Sequence, residues 1–311
     1  MDIKTFYAWI AWFIASLILC PLLPGIINKV KAFFAGRKGP SVFQLYFDLA
    51  KLLRKESIVS TTSGGLIFFA PAVSLAGIIA AALFLPYGAE KSPFAFRGDV
   101  ILFFYLLGSS RFAMILGAMD TGSSFEGMGA SREAHFSALA EAAIFGIIGF
   151  LVLLSGFNHT GMLHQVGMGS SIHLTSILLA AAAFFIIILV ENCRVPADDP
   201  ETHLELTMIH EAMVLDYGGP ELAAILYGSA LKLWIFVSFF VLLLMPAGPW
   251  AGFSCSTVLA AGIVLTTAAV GCVESCMARY RFLKVPQMLT GALCIALLAV
   301  FFLIFFEGAV K

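Results

Sequence analysis

Eight apolar stretches of about 20 residues constrain this chain before any motif is read; they fall near residues 5–27, 66–86, 99–119, 138–157, 172–190, 227–246, 253–273 and 287–306. At a rise of about 1.5 Å per residue, a helix of that length crosses a hydrocarbon core of roughly 30 Å. A membrane-spanning strand would instead alternate in polarity over about ten residues. The run from Leu178 to Val190 is apolar on every face, which suits a helix and no barrel strand. Composition agrees, with 60% of residues hydrophobic and 12% charged, against roughly 25% charged in soluble proteins. The expected fold is an all-α integral membrane protein, one membrane domain over residues 1–311. It is a bundle of about eight transmembrane helices with an interfacial helix and a long acidic cytoplasmic loop. The first stretch reads as a retained helix, because it outruns a signal h-region and Pro21, Pro24 and bulky residues stand where a cleavage site needs small ones.

Lys and Arg are distributed unevenly among the connections. The loops after the first, third, fifth and seventh stretches hold twelve of them, and the other loops hold only Lys91 and Arg97. By the positive-inside rule the odd-numbered loops face the cytoplasm and both termini lie outside, in the cell inner (cytoplasmic) membrane. Two of these cytoplasmic loops are too long to be simple connectors. The first, residues 28–65, is basic and includes Arg37 and Lys38. Within it, Val42, Leu45, Tyr46, Leu49, Leu52 and Leu53 recur at helical spacing beside Lys51, Arg54 and Lys55, the pattern of a helix lying in the lipid interface over 41–55. The second, residues 191–226, carries eight of the nineteen acids: Glu191, Asp198, Asp199, Glu201, Glu205, Glu211, Asp216 and Glu221, opposed within the loop only by Arg194. A helix over 202–215 is expected there, between Pro200 and the stop signal Gly218-Gly219-Pro220, with Glu201 and Glu205 on one face.

Charges inside the apolar stretches are costly, about 2.5–3.5 kcal/mol each on insertion scales. Arg111, Glu141 and Lys232 lie within such stretches and Glu274 at the end of one, so they are the candidate ion conduit. Glu141 reads either as a proton relay, since desolvation brings carboxyl groups toward neutrality, or as a structural ion pair with Arg111. Lys232 lies near enough to its helix end to snorkel, and Glu274 to cap a cytoplasmic helix end. His203 and His210, seven apart among carboxylates, suit a divalent ion, proton shuttling or interface hydrogen bonds. The six cysteines lack the Cys-x-x-Cys spacing of metal ligation and read as small apolar packing residues. Phosphate-binding glycine loops and nucleophile triads are absent, and a net charge of −1 gives no reason to expect a nucleic acid.

The segment from Glu191 through Arg194, Pro196, Asp198, Asp199, Glu201, His203 and Glu205 to Leu206, continuing over His210-Glu211-Ala212-Met213-Val214-Leu215-Asp216-Tyr217, resembles the respiratory complex I subunit 1 family and its counterparts in membrane-bound group 4 nickel–iron hydrogenases. Gly36-Arg37-Lys38-Gly39-Pro40, Leu49 to Glu56, and Gly108-Ser109-Ser110-Arg111 with Glu141 are similar to the same family. The run from Asp198 to Met208 looks most like the formate hydrogenlyase and hydrogenase-4 branch. The resemblance implies a membrane subunit with no cofactor of its own and no catalysis alone. Its acidic loop would dock soluble hydrogenase large and small subunits and an iron–sulfur subunit, which carry the nickel–iron centre and the iron–sulfur clusters. Its buried charges would lead toward antiporter-like membrane subunits and link the arm to proton or sodium translocation. Arg37 and Arg194 would shape the dock. Two alternatives stay open: a quinone-chamber subunit of a complex I-like NADH:quinone oxidoreductase, and a freestanding ion transporter, although no internal repeat of the transporter kind is evident. A purely structural anchor is a third, distinguished by tolerance of neutralised intramembrane charges.

The charge count makes a prediction: cysteines introduced at Ser57 and Asp216 in a partner-free preparation react with a membrane-impermeant thiol reagent only when the inner face is opened. Labelling of intact cells from outside would reverse the orientation.

Overall fold

The computed structural model of the chain describes residues 3–58, 62–87, 92–156, 160–164, 171–198, 208–245 and 253–307. These form α1 (Ile3–Leu19), α2 (Leu22–Phe34), α3 (Gln44–Leu52), α4 (Leu66–Leu83), α5 (Asp99–Asp120), α6 (Ser124–Ser155), α7 (Ser171–Glu191), α8 (His210–Met213), α9 (Gly219–Leu244), α10 (Phe253–Cys276) and α11 (Val285–Glu307), with short 3-10 turns at Thr160–His164 and Phe282–Lys284. Among the described residues there is no strand. Seven helices are long and apolar enough to cross a membrane, and α1 with α2 makes an eighth span bent by 54°. The chain is an integral membrane bundle.

The bend falls where Pro21 interrupts the first apolar stretch. Proline has no N–H to give its preceding turn and its ring crowds the carbonyl four residues back. α2 therefore restarts at Leu22 and runs on to Phe34, beyond the expected end at residue 27. It stops in a Schellman turn, with Arg37 N–H donating to Ala32 O at 2.8 Å, Gly36 N–H to Phe33 O at 3.1 Å, and Gly36 in the left-handed region that only glycine enters freely. The interfacial helix expected over 41–55 is α3, which has no buried residue and is tied to the first span by the Tyr46 hydroxyl, a donor to Ile18 O.

Three further element boundaries depart from the sequence reading. α6 starts at Ser124 rather than 138, and its 32 residues reach about 48 Å, well past a hydrocarbon core of roughly 30 Å. Hydropathy fades where the charged residues begin, but nothing there breaks a helix. α9 starts at Gly219 rather than 227: Gly218-Gly219-Pro220, read as a stop, is a start, because proline's fixed φ suits the first helical turn. The helix expected over 202–215 is limited, among the described residues, to α8, with Val214 and Leu215 already outside it; residues 202–207 lie outside the described residues.

α9 is the centre of the bundle, with 72% of its apolar window buried against 28% for the span Phe282–Phe305. It touches α4, α7, α10 and the interfacial α3, while α11 packs on α6 and α7, and α10 on α2. Aromatic rings fill the space between α5, α7 and α9: Phe103 stacks on Phe239 at 5.7 Å, and Phe184 lies 5.0 Å from Phe239 and 5.9 Å from Phe236. Elsewhere backbones meet directly. A Cβ at Gly25 would stand 2.1 Å from Val42 O, so the segment entering α3 crosses α2 at a distance only glycine permits.

Gly25→Ala is therefore expected to destabilise the protein by about 1–3 kcal/mol, the usual cost of overpacking. Gly149→Ala, where a Cβ meets nothing within 4 Å, should be neutral or stabilising by up to about 1 kcal/mol through helix propensity. Thermal unfolding in detergent compares them, and equal effects would contradict the close crossing.

Candidate functional site: a buried ion-pair cluster beneath the loop face

Arg111 in α5, Glu191 at the last position of α7 and Lys232 in α9 converge inside the bundle. Arg111 Nη1 lies 2.5 Å from Glu191 Oε1, and Lys232 Nζ lies 3.0 Å from Glu191 Oε2. Lys232 also donates to the Glu191 carbonyl at 2.7 Å, satisfying an acceptor left open at the end of α7. The Glu191 side chain is 1% exposed, so its charge is supportable only because both oxygens meet cations. Arg111 Nη2 reaches Glu141 Oε1 at 3.5 Å, but the Glu141 side chain is 47% exposed, at the edge of the bundle. Glu191, read from the sequence as a docking-loop carboxylate, is thus at the centre of this set of buried charges, and Glu141 is at its rim. Lys232 points into the bundle and does not snorkel.

Three chambers meet at the Arg111–Glu191 pair. The largest, about 70 Å³, lies among Ser110, Glu133, Asn192, His210, Ser229 and Lys232. A second opens past Phe104 and Tyr105 to Glu141, and a third past Glu133 and Ser137 to Asp198. A water needs roughly 10–15 Å³ of such space and two or more polar partners, so the large chamber has room for several waters. Following α5, α7 and α9 away from the loop ends, the Phe103, Phe184, Phe236 and Phe239 rings come directly after the charges. These rings pack against one another on the side of the charges away from the loops, while the second chamber extends sideways to Glu141.

Around the cluster, the loops are held by further charges. Arg194, expected to shape a dock, instead lies 3.5 Å from the wholly buried Glu274, which Lys31 also approaches at 3.3 Å. A left-handed turn at Cys193, closing a second Schellman motif through Arg194 N–H to Leu189 O, sends the chain from α7 in that direction. Burial, with the Glu133 carboxylate adding to it, pushes the Cys193 thiol well above its usual range, so it stays protonated. Asp198 is buried too: Arg279 Nη2 lies 2.8 Å from Oδ1, and Oδ2 accepts from the N–H groups of Ile209 and His210, both at 3.1 Å, capping α8. Asp199, Glu201, His203 and Glu205 lie outside the described residues. Glu211 and Asp216 remain on the loop face, and Arg37 and Lys38 are exposed in the basic loop.

Sequence reasoning did not assign Glu133, Lys31, Arg279, Glu126 or Asp120 to the site. Arg279 and Lys31 stand beside their partners only after folding, and Glu126 and Glu133 sit in a stretch that reads as loop. Asp120 Oδ2 accepts from Ile67 N–H at 3.3 Å, supplying a cap to α4 from another helix, while Glu126 Oε1 accepts from Asp216 N–H at 2.9 Å. The short α5–α6 turn thereby holds the ends of both long loops. Tyr217, lodged over Gly117, has its phenol pushed up by burial and by the Glu126 and Asp120 carboxylates. Among the described residues, no three His, Cys, Asp or Glu side chains gather to hold a metal ion.

A helical membrane bundle with a charge-balanced interior beneath two structured loops is the class of protein defined so far. The pattern of the NADH dehydrogenase family matches residues 7–305, and the chain belongs to that family, the complex I subunit 1 type. It is 32% identical over 290 residues to hydrogenase-4 component C of Escherichia coli K12, covering 91% of each chain. It is 30% identical over 291 residues to formate hydrogenlyase subunit 4 of the same organism, covering 90% of this chain and 93% of that one. In fold it is similar to a chain of the membrane-bound sulfane sulfur reductase, an archaeal respiratory membrane complex, with a TM-score of 0.82, 21% identity, and coverage of 97% of this chain and 100% of that one.

The geometry ranks the carboxylates. Glu191→Gln leaves two buried cations short of an anion and is expected to cost about 3–5 kcal/mol. Glu141→Gln, with Arg111 still paired to Glu191, should cost under about 1 kcal/mol. Thermal unfolding of the two variants tests the order, and a larger loss at Glu141 would contradict it.

Proposed function

We propose that this chain is the membrane anchor and ion-coupling subunit of a membrane-bound hydrogenase complex of the formate hydrogenlyase kind. One observation carries the reading: a buried Arg111–Glu191–Lys232 set, two cations on one carboxylate, from which a chamber leads laterally to a half-exposed second carboxylate, Glu141. A carboxylate facing lipid midway along a span is costly. The face around Glu141, Tyr105 and Phe145 is therefore covered by an antiporter-like membrane subunit, into which the charge path continues. Similarity along nine-tenths of the chain to components of hydrogenase-4 and formate hydrogenlyase supports hydrogen chemistry in the attached arm. The nickel–iron centre and iron–sulfur clusters belong to soluble large, small and iron–sulfur subunits docked on the loop face, where Glu211 and Asp216 stand. The complex lies in the cytoplasmic membrane with both termini of this chain outside and its long loops in the cytoplasm.

In this scheme a change of charge in the docked arm alters the balance around Glu191 through the loop, and Glu141 takes up or gives up a proton as Arg111 shifts between its two carboxylate partners. Glu141→Gln keeps shape and hydrogen bonding but exchanges no proton. The intact complex bearing it should assemble with full dye-linked hydrogenase activity, while ion uptake into proteoliposomes falls at least about tenfold, a loss typical of removing one proton-transfer group. Glu141→Asp should retain part of the uptake. Wild-type uptake in an assembled Gln variant would sink the coupling role.

A further inference from the structure

His210 is placed by other residues with more care than a loop histidine requires. It opens α8, and its own N–H and that of Ile209 are both held by Asp198, which Arg279 fixes in turn. On the other side, Arg132 Nη1 donates to Met208 O at 2.8 Å. These bonds pin the backbone at 208–210 from α6 on one side and from the segment after α7 on the other, and His210 lines the 70 Å³ chamber with Lys232, Glu191, Glu133 and Asn192. Asn192 Oδ1 is buried there without a protein partner, which leaves the chamber an acceptor for water. The residues that line the chamber with His210 include the basic side chains Arg111 and Lys232 and two carboxylates, Glu133 and Glu191. Imidazole is the group among them with two ring nitrogens, able to take a proton at one and give it up at the other.

Resting on the ion-coupling reading above, we propose that His210 is the loop-side proton-transfer residue of this chain and that Asp198, held by Arg279, is its positioning residue. A proton leaves an imidazolium N–H, passes along hydrogen-bonded water in the chamber and forms an O–H on Glu133, the chamber carboxylate that is not clamped between the two cations. Neutralising that carboxylate loosens Arg111 toward Glu141, and the neutral imidazole is reprotonated from the loop face. One N–H bond is broken and one O–H bond formed, with no change in electrons.

The test uses the intact complex in proteoliposomes with three variants: His210→Gln, Asp198→Asn and Glu141→Gln. For His210→Gln the expectation is normal assembly, normal dye-linked hydrogenase activity and at least about a tenfold fall in proton uptake. Free imidazole added to the medium should restore part of that uptake in His210→Gln and none in Glu141→Gln, a rescue that a merely structural histidine would not produce. Asp198→Asn, which keeps one oxygen for the two N–H groups, should lose less than His210→Gln. Uptake at the wild-type rate in His210→Gln, or a loss that imidazole leaves untouched, overturns the proposal while the Glu141 result stands. Undiminished uptake in Glu141→Gln instead overturns the coupling reading and this proposal with it.

Discussion

Everything near the loop face depends on one buried carboxylate held between two cations. Glu191 is at the end of α7, Arg111 near the middle of α5 and Lys232 at the middle of α9, so the pairings join three helices at one point. A single ion buried this deeply would be intolerable, and a single pair would barely offset its own desolvation. Glu191 with both oxygens engaged, and Lys232 also closing the α7 carbonyl, is the arrangement that makes the interior polar without making it unstable. Its cost is still appreciable, which is a reason to look for function there rather than for stability alone.

The surrounding architecture isolates this point on one side and opens it on two others. Buried aromatic rings from α5, α7 and α9 pack together on its far side from the loops. Hydrated space approaches it from the loops, and a narrow chamber leaves it sideways to Glu141. The loops that bound the wet side are fixed by carboxylates acting on backbone N–H groups: Asp120 at α4, Glu126 at residue 216 and Asp198 at α8. Such bonds transmit position, so a partner that pulls on the loop face acts on the chamber wall.

Much of the fold was legible because lipid leaves few options: long apolar stretches must be helices, and the spans were found where hydropathy placed them. What hydropathy does not see is a helix continuing past the membrane, as α6 does before residue 138, or a proline that bends a span rather than ending it, as Pro21 does. Gly218-Gly219-Pro220 carries the same composition whether it stops one helix or starts the next. At the site, Arg111, Glu141, Lys232 and Glu274 were visible as charges out of place in apolar sequence. The role of Glu191 was not, because it is written beside the acidic loop and the cations that draw it inward lie 80 and 41 residues away. A count of eight acids against one Arg194 measures the loop alone, whereas Arg279 pairs with Asp198 and Arg194 itself turns to Glu274.

The central claim is that the Glu191 cluster changes protonation during turnover instead of serving as a fixed brace. Infrared difference spectroscopy of the intact complex, triggered by hydrogen and recorded with isotope-labelled glutamate in this subunit, reads that directly. The account predicts a turnover-linked carboxyl signal that is lost in Glu141→Gln and altered in Lys232→Met. A complex that turns over with no carboxyl signal from this chain would contradict it.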